Sequence, residues 1–439
     1  MNAFVSPLVE VERRVLETAK DEALDLAATD AEVRLRELLQ DEVAQWSLDF
    51  KHGLREFDLP DPDMVVEKAL RNLTGYGPLE PLLSNDDVWE VMINAPDQIF
   101  VKRHVGVSGY HDEAFHDDEH VTRTLTKILD DASSSHRKLD PSEGLQDAQL
   151  DSGARLHIVH RDIGRGSHTI VNIRKFTGVS FRSLDELAGR GMMTAQVADF
   201  LRACARAKLS TVFAGPPGSG KTTLLSCCTA ELDPSLRVVT AEEVFEVDVP
   251  QPNVASMQTR AARPDREEID LRRLVSGFLR MAPDVAIVGE VRDREALPLL
   301  LTLSSGVKGF TTIHAGSCRQ ALSRLRFICQ LADTRSELPM VALNSLVTEA
   351  VDIVVHSSRV DGIPQVNEVI AVEEQQTSEG GTAFTVTELF SRATPDAPLA
   401  WTGNVPVRCA RALTAAGYDV RELLDTHSAP GALMGEDLR

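Results

Sequence analysis

The densest chemistry in the chain is the run Gly215-Pro216-Pro217-Gly218-Ser219-Gly220-Lys221-Thr222, followed by Thr223. Its spacing is G-x-x-x-x-G-K-[ST], and its residue types suit the cradling of phosphates. Gly215, Gly218 and Gly220 let the backbone curl until successive N–H groups converge on an anion. The loop ends at a helix N-terminus, whose free N–H groups and dipole favour the same charge. Lys221 would neutralise the outer phosphates, and the Thr222 hydroxyl would take a place on Mg²⁺. The apolar stretch Thr211–Ala214 before the run and the helical pattern Thr222–Glu231 after it supply the strand–loop–helix setting this mechanism requires.

Cleaving a bound triphosphate also needs an acid near the metal and a group that orients water. The segment Val285-Ala286-Ile287-Val288-Gly289-Glu290 reads as a buried strand ending in a carboxylate. In open α/β sheets ligands sit at the carboxyl ends of strands, so Glu290 is the candidate for metal or water. A second strand, Arg237–Thr240, runs into Glu242, Glu243 and Glu246. Glu242 is the general-base candidate of that set, while a solvated face accounts equally well for Glu243 and Glu246. His314 follows the strand Phe310–Ile313 and would stand at a third such edge, where a γ-phosphate could be sensed.

These residues need a scaffold. From about 194 to 375 apolar strands alternate with helical stretches, which predicts a parallel sheet covered on both faces. Upstream, 1–60 is an acidic, periodic helical segment, and 61–177 mixes short strands with helices as an α+β domain. Residues 178–193 are polar, contain Gly178, Gly189 and Gly191, and read as a linker with a hinge near Gly178. Residues 376–439 form a C-terminal extension with one helical stretch, Val407–Leu424.

Composition narrows the function. Of 439 residues 43% are hydrophobic and 26% charged, ordinary for a globular protein and enough for about two to four domains. A net charge of −21 argues against a dedicated nucleic-acid binder, so no direct nucleic-acid partner is expected and a nucleic-acid motor is the least favoured alternative function. The six cysteines make no CxxC pair and no zinc spacing, and reduced, buried thiols are expected. Neither a signal peptide nor a membrane-length apolar run is visible, so a cytoplasmic protein is expected.

At this point four ordered motifs resemble the secretion ATPases of the type II/type IV superfamily. They are GPPGSGKTT (215–223), TAEEVFEV (240–247), LRMAPDVAIVGEVRDREA (279–296) and GVKGFTTIHA (306–315). Upstream, residues 75–103 and 151–176 are similar to the N-terminal domain of the Tad/Flp pilus-assembly, CpaF-like branch. The resemblance implies a RecA-like P-loop core behind an α+β domain. It also implies an ATP- and Mg²⁺-dependent homo-hexameric motor acting on an inner-membrane platform, or a relative serving conjugation or DNA uptake. By position it implies nucleotide and metal binding by Lys221 and Thr222. Glu242 then falls in an acidic box, Glu290 in the Walker B box and His314 in a His box. Arg155, Arg174 and Arg260 match arginines that approach the nucleotide. Glu243 stands where the family usually has Asp, Val307 where it usually has a further His, and the tetracysteine zinc module is absent.

Overall fold

The computed structural model describes all residues except 1–5, 25–30, 104–105, 133–137, 176–180, 261, 263–265, 333–338, 361, 375–382, 393–396 and 426–439. The described chain forms two compact units, Met1–Val179 and Ser180–Arg439. The hinge position Gly178 lies outside the described residues. Among the described residues no helix is long and apolar enough to cross a membrane.

The first unit opens with helices Pro7–Asp21, Ala31–Lys51 and Pro62–Thr74. Their facing residues, among them Val11, Val15, Leu39, Trp46 and Leu70, make a small core of their own. The third helix starts where Asp61 accepts a hydrogen bond from the Met64 N–H and Pro62 takes the first position, which needs no donor.

Six strands follow in an entirely antiparallel sheet. Their order is Gly109–Tyr110, Gln98–Arg103, Val88–Ala95, Ile170–Arg174, Arg155–Val159, Leu145–Gln149. Helix Asp118–Asp131 packs Val121, Leu125 and Ile128 against Val91, Ile93 and Ile173. The outer strands 109–110 and 145–149 carry too little apolar alternation to be read from sequence.

The second unit holds a nine-stranded sheet. Six strands run parallel in the order Ile353–Val360, Thr211–Ala214, Lys308–Ile313, Val285–Val291, Val238–Glu242, Val254–Gln258. Three antiparallel strands, Ile363–Val372, Val386–Ser391 and Ala400–Trp401, extend the other edge. The strand before the glycine-rich loop and the strand bearing Glu290 are thus separated by the strand that leads to His314. The parallel sheet expected of a RecA-like core is present.

Alternate side chains of each parallel strand enter opposite cores: Phe213, Val238 and Ile287 on one face, Val212, Val239 and Val288 on the other. Burial on both faces is why these strands read as unbroken apolar runs. Leu271–Val275 is a short helix, followed after Gly277 by a 3₁₀ turn Phe278–Met281. One expected helix is corrected. Val407–Leu424 splits into Ala410–Ala415 and Val420–Leu424 around Gly417, whose φ of +88° ends a helix.

Candidate functional site

The glycine-rich loop joins the strand Thr211–Ala214 (the loop strand) to the helix Lys221–Thr229 (the loop helix). Gly215 is required by close approach: a Cβ there would strike the Ser357 carbonyl and the Ser219 hydroxyl. Gly220 caps the helix at φ +84°, a conformation that costs other residues energy. Ser219 is fully buried and its hydroxyl accepts from Ser357 Oγ at 3.3 Å. Arg359 Nη1 donates to the Gly218 carbonyl at 3.2 Å. Pro216 and Pro217 face solvent, while Thr222 and Thr223 are half-buried in the first helical turn.

Lys221 is 7% exposed, and its ammonium donates to the Pro216 carbonyl at 3.0 Å. His314 stands beside it, with Nδ1 3.4 Å from Lys221 Nζ and 3.2 Å from the Gly215 carbonyl oxygen. The other ring nitrogen, Nε2, lies 2.8 Å from Glu290 Oε1. The imidazole thus stands between the lysine and the carboxylate, at ion-pair distance from Glu290 but out of line for a hydrogen bond to its Oε1.

The Glu290 strand runs from Val285 to Val291, one residue past the carboxylate, and its register against the His314 strand shifts between Val288 and Val291. Such a bulge re-aims a side chain next to a site. Thr312 Oγ1 supports it by donating to the Gly289 carbonyl at 2.8 Å. Arg292 bridges two acids, 2.7 Å from Glu290 and 2.8 Å from Glu243. Burial pushes the Glu290 carboxyl up, but the adjoining His314 and Arg292 outweigh it and hold it down at about 2. The same pairing raises Arg292.

Glu242 closes the adjacent strand and is 3% exposed. Its Oε2 accepts the backbone N–H groups of Glu246 and Val247 at 2.8 and 2.9 Å. A Cβ at Gly289 would come within 2.9 Å of Glu242 Cγ, so a glycine beside Glu290 is what admits this carboxylate. The loop, Lys221, His314, Glu290 and Glu242 thus gather on the carboxyl edge of one sheet.

Arg260 is not brought to that loop within its own chain. It follows the strand Val254–Gln258, four ladder steps from the loop strand, or about 19 Å at strand spacing. Its guanidinium donates to the Glu267 carbonyl at 3.1 Å. Arg155 and Arg174 belong to the first unit, where they are direct register partners on neighbouring antiparallel strands. Side chains so paired lie on one face of the sheet. Sequence reasoning missed Ser357 and Arg359, more than 130 residues from the loop, because only the parallel pairing of their strand with the loop strand brings them there.

A strand, a glycine loop holding a buried lysine, and acids on neighbouring strand ends define the class of phosphate-loop nucleotide-binding α/β proteins. Residues 72–387 match the family described as type II/IV secretion system protein, and the chain belongs to that family. A Mycobacterium tuberculosis protein named for conjugal transfer is 31% identical over 295 residues, covering 65% of this chain and 81% of its own. The type IV secretion system protein VirB11 of Bartonella quintana is 26% identical over 331 residues, covering 68% and 92%. The crystal structure of the VirB11 ATPase of Brucella suis with sulphate aligns at 27% identity over 66% of this chain and 94% of that one, with a TM-score of 0.35.

Proposed function

We propose that this chain is an ATP-hydrolysing motor of the Tad/Flp pilus-assembly, CpaF-like branch, working as a homo-hexamer on the cytoplasmic side of an inner-membrane platform. The observation that carries the reading is the continuous contact from Lys221 through His314 to Glu290 at the mouth of the phosphate loop. A γ-phosphate drawn to Lys221 would meet His314 directly. Its arrival or loss would then be felt at the carboxylate that serves water or metal.

The donor set fits Mg²⁺. The ion is commonly held by one or two carboxylates, a hydroxyl, waters and substrate phosphates rather than by an all-protein cage. Thr222 and Glu290 would be its protein contacts. Bound there, the ion supplies charge that offsets the phosphate oxygens. Lys221 binds the phosphates, Glu242 takes a proton from water, and Glu290 orients that water. Arg155, Arg174 and Arg260 would add charge from the first unit or from a neighbouring copy, as the distance of Arg260 from its own loop suggests.

The domain scheme (helical segment 1–60, α+β domain 61–177, linker 178–193, ATPase core 194–375 and extension 376–439) is part of the proposal. A second reading, a motor of a conjugation or DNA-uptake system, is supported by the relatives named for conjugal transfer and type IV secretion. Neighbouring genes for a pilin and a prepilin peptidase would favour the first reading, and their absence the second. The motor itself is tested by ATPase rate against protein concentration. A rate per subunit that climbs with concentration supports sites shared between copies; a flat profile contradicts it.

A further inference from the structure

The chain enters the second unit through residues 181–193, and this segment touches the loop helix at two points. Near the far end of the helix, Cys227 Sγ donates to the Phe181 carbonyl at 3.2 Å. At its start, the Met192 side chain occupies the space beside Gly220: a Cβ built there would lie 2.7 Å from Met192 Cε. Gly220 is held as glycine by its φ of +84°, and the Met192 methyl fills the space its missing side chain leaves.

Between the two contacts the segment is a packed piece. Helix Leu184–Gly189 buries Leu184 and Leu187 completely or nearly so. The Met192 N–H donates to the Leu187 carbonyl at 3.0 Å, and its own carbonyl accepts from the Val366 N–H at 2.8 Å. Arg190 lies over the Phe181 ring at 4.8 Å, and Asp185 pairs with Arg202 at 2.8 Å. Met192 is 5% exposed and held through its backbone on both sides. An unbranched thioether fills such an irregular gap well, and a close-packed interior transmits displacement rather than absorbing it.

We propose that Met192 is a positioning residue of the phosphate loop, coupling Gly220 to the 181–193 segment so that loop and entering chain move as one piece. The inference rests on the nucleotide-binding reading of that loop. When backbone N–H groups next to Gly220 settle on a phosphate, any shift of Gly220 meets a buried Met192 whose backbone is pinned at both its N–H and its carbonyl, so the displacement would pass into the 181–193 segment. That segment leads covalently to the first unit, so the contact would carry the state of the loop toward the domain boundary.

The test is amide hydrogen exchange of the full chain with and without Mg-ADP, with fluorescent ADP binding measured in parallel. In the wild type, peptides spanning 184–193 change their exchange when ADP binds. In Met192→Ala, ADP still binds, several-fold more weakly, and the loop peptides respond while 184–193 no longer do. Met192→Leu, which refills the gap, restores the response. ADP binding to wild type without any change in 184–193, or an unaltered response in Met192→Ala, overturns the inference alone. A wild-type chain that binds no ADP fells the nucleotide reading and this inference with it.

Discussion

The two sheets solve different problems. In the second unit the core strands are parallel, buried on both faces, and their polar residues are pushed to the carboxyl ends. Lys221, His314, Glu290 and Glu242 consequently meet at one edge although they span more than 90 residues of sequence. In the first unit every pairing among the described residues is antiparallel, so neighbouring strands end at opposite sides, and Arg155 and Arg174 face each other as the last pair of their ladder, on one face of the sheet. A parallel sheet assembles a site from many strand ends; an antiparallel one presents residues as a surface. The first arrangement suits chemistry, and the second suits delivering charge to something else.

That contrast breaks most sharply at Glu290. Glu290→Gln should lower ATP turnover about a thousandfold, as losing a group that handles water does, while fluorescent ADP still binds. Loss of binding instead would mark Glu290 as part of the phosphate cradle. On the other sheet, Arg155→Ala or Arg174→Ala should cut turnover by about ten- to a hundredfold, the cost of one charge-assisted hydrogen bond, with the melting temperature unchanged. Unchanged turnover in both variants would reduce the antiparallel face to a scaffold.

Gly215→Ala sharpens the edge side of the comparison. Its Cβ would meet the Ser357 carbonyl, which is backbone and cannot swing away. Destabilisation of about 1–3 kcal/mol in urea and lost nucleotide binding are expected. The same change at Gly189, where a Cβ meets nothing, should be neutral or nearly so.

Glu290 also predicts a pH signature. Its folded pKa is depressed to about 2, so it binds protons less readily folded than unfolded. Its stabilisation is thus fully present above the ordinary carboxylate range near pH 4.5 and is lost as pH falls toward 2. The stability gap between wild type and Glu290→Gln should shrink by on the order of 2 kcal/mol across that window. The smallest effect concerns the thiols: all six cysteines are free and buried, so a thiol reagent should leave the native chain unlabelled over minutes.

Legibility in the sequence followed the range of the interactions. The phosphate loop was readable because its chemistry is contiguous and its strand and helix flank it directly. Glu290 and His314 were readable as strand ends, but their 2.8 Å contact was not, since it depends on one strand lying between two others and on a bulge after Val288. The strand Val254–Gln258 escaped notice because its half-buried VASMQ lacks the apolar run of its neighbours. Met192, Ser357 and Arg359 carry no motif, and only tertiary packing puts them on the loop. Gly417 hid a helix break that local composition did not announce.

The claim on which the account stands is that Lys221 holds the phosphates of a nucleotide. It is tested most directly by titrating fluorescent ATP analogue with Mg²⁺ into wild type and Lys221→Ala, each checked by thermal melt. Saturable binding and turnover in wild type, both lost in a Lys221→Ala chain that melts as before, is the predicted result. Equal binding and turnover in the two proteins would contradict it.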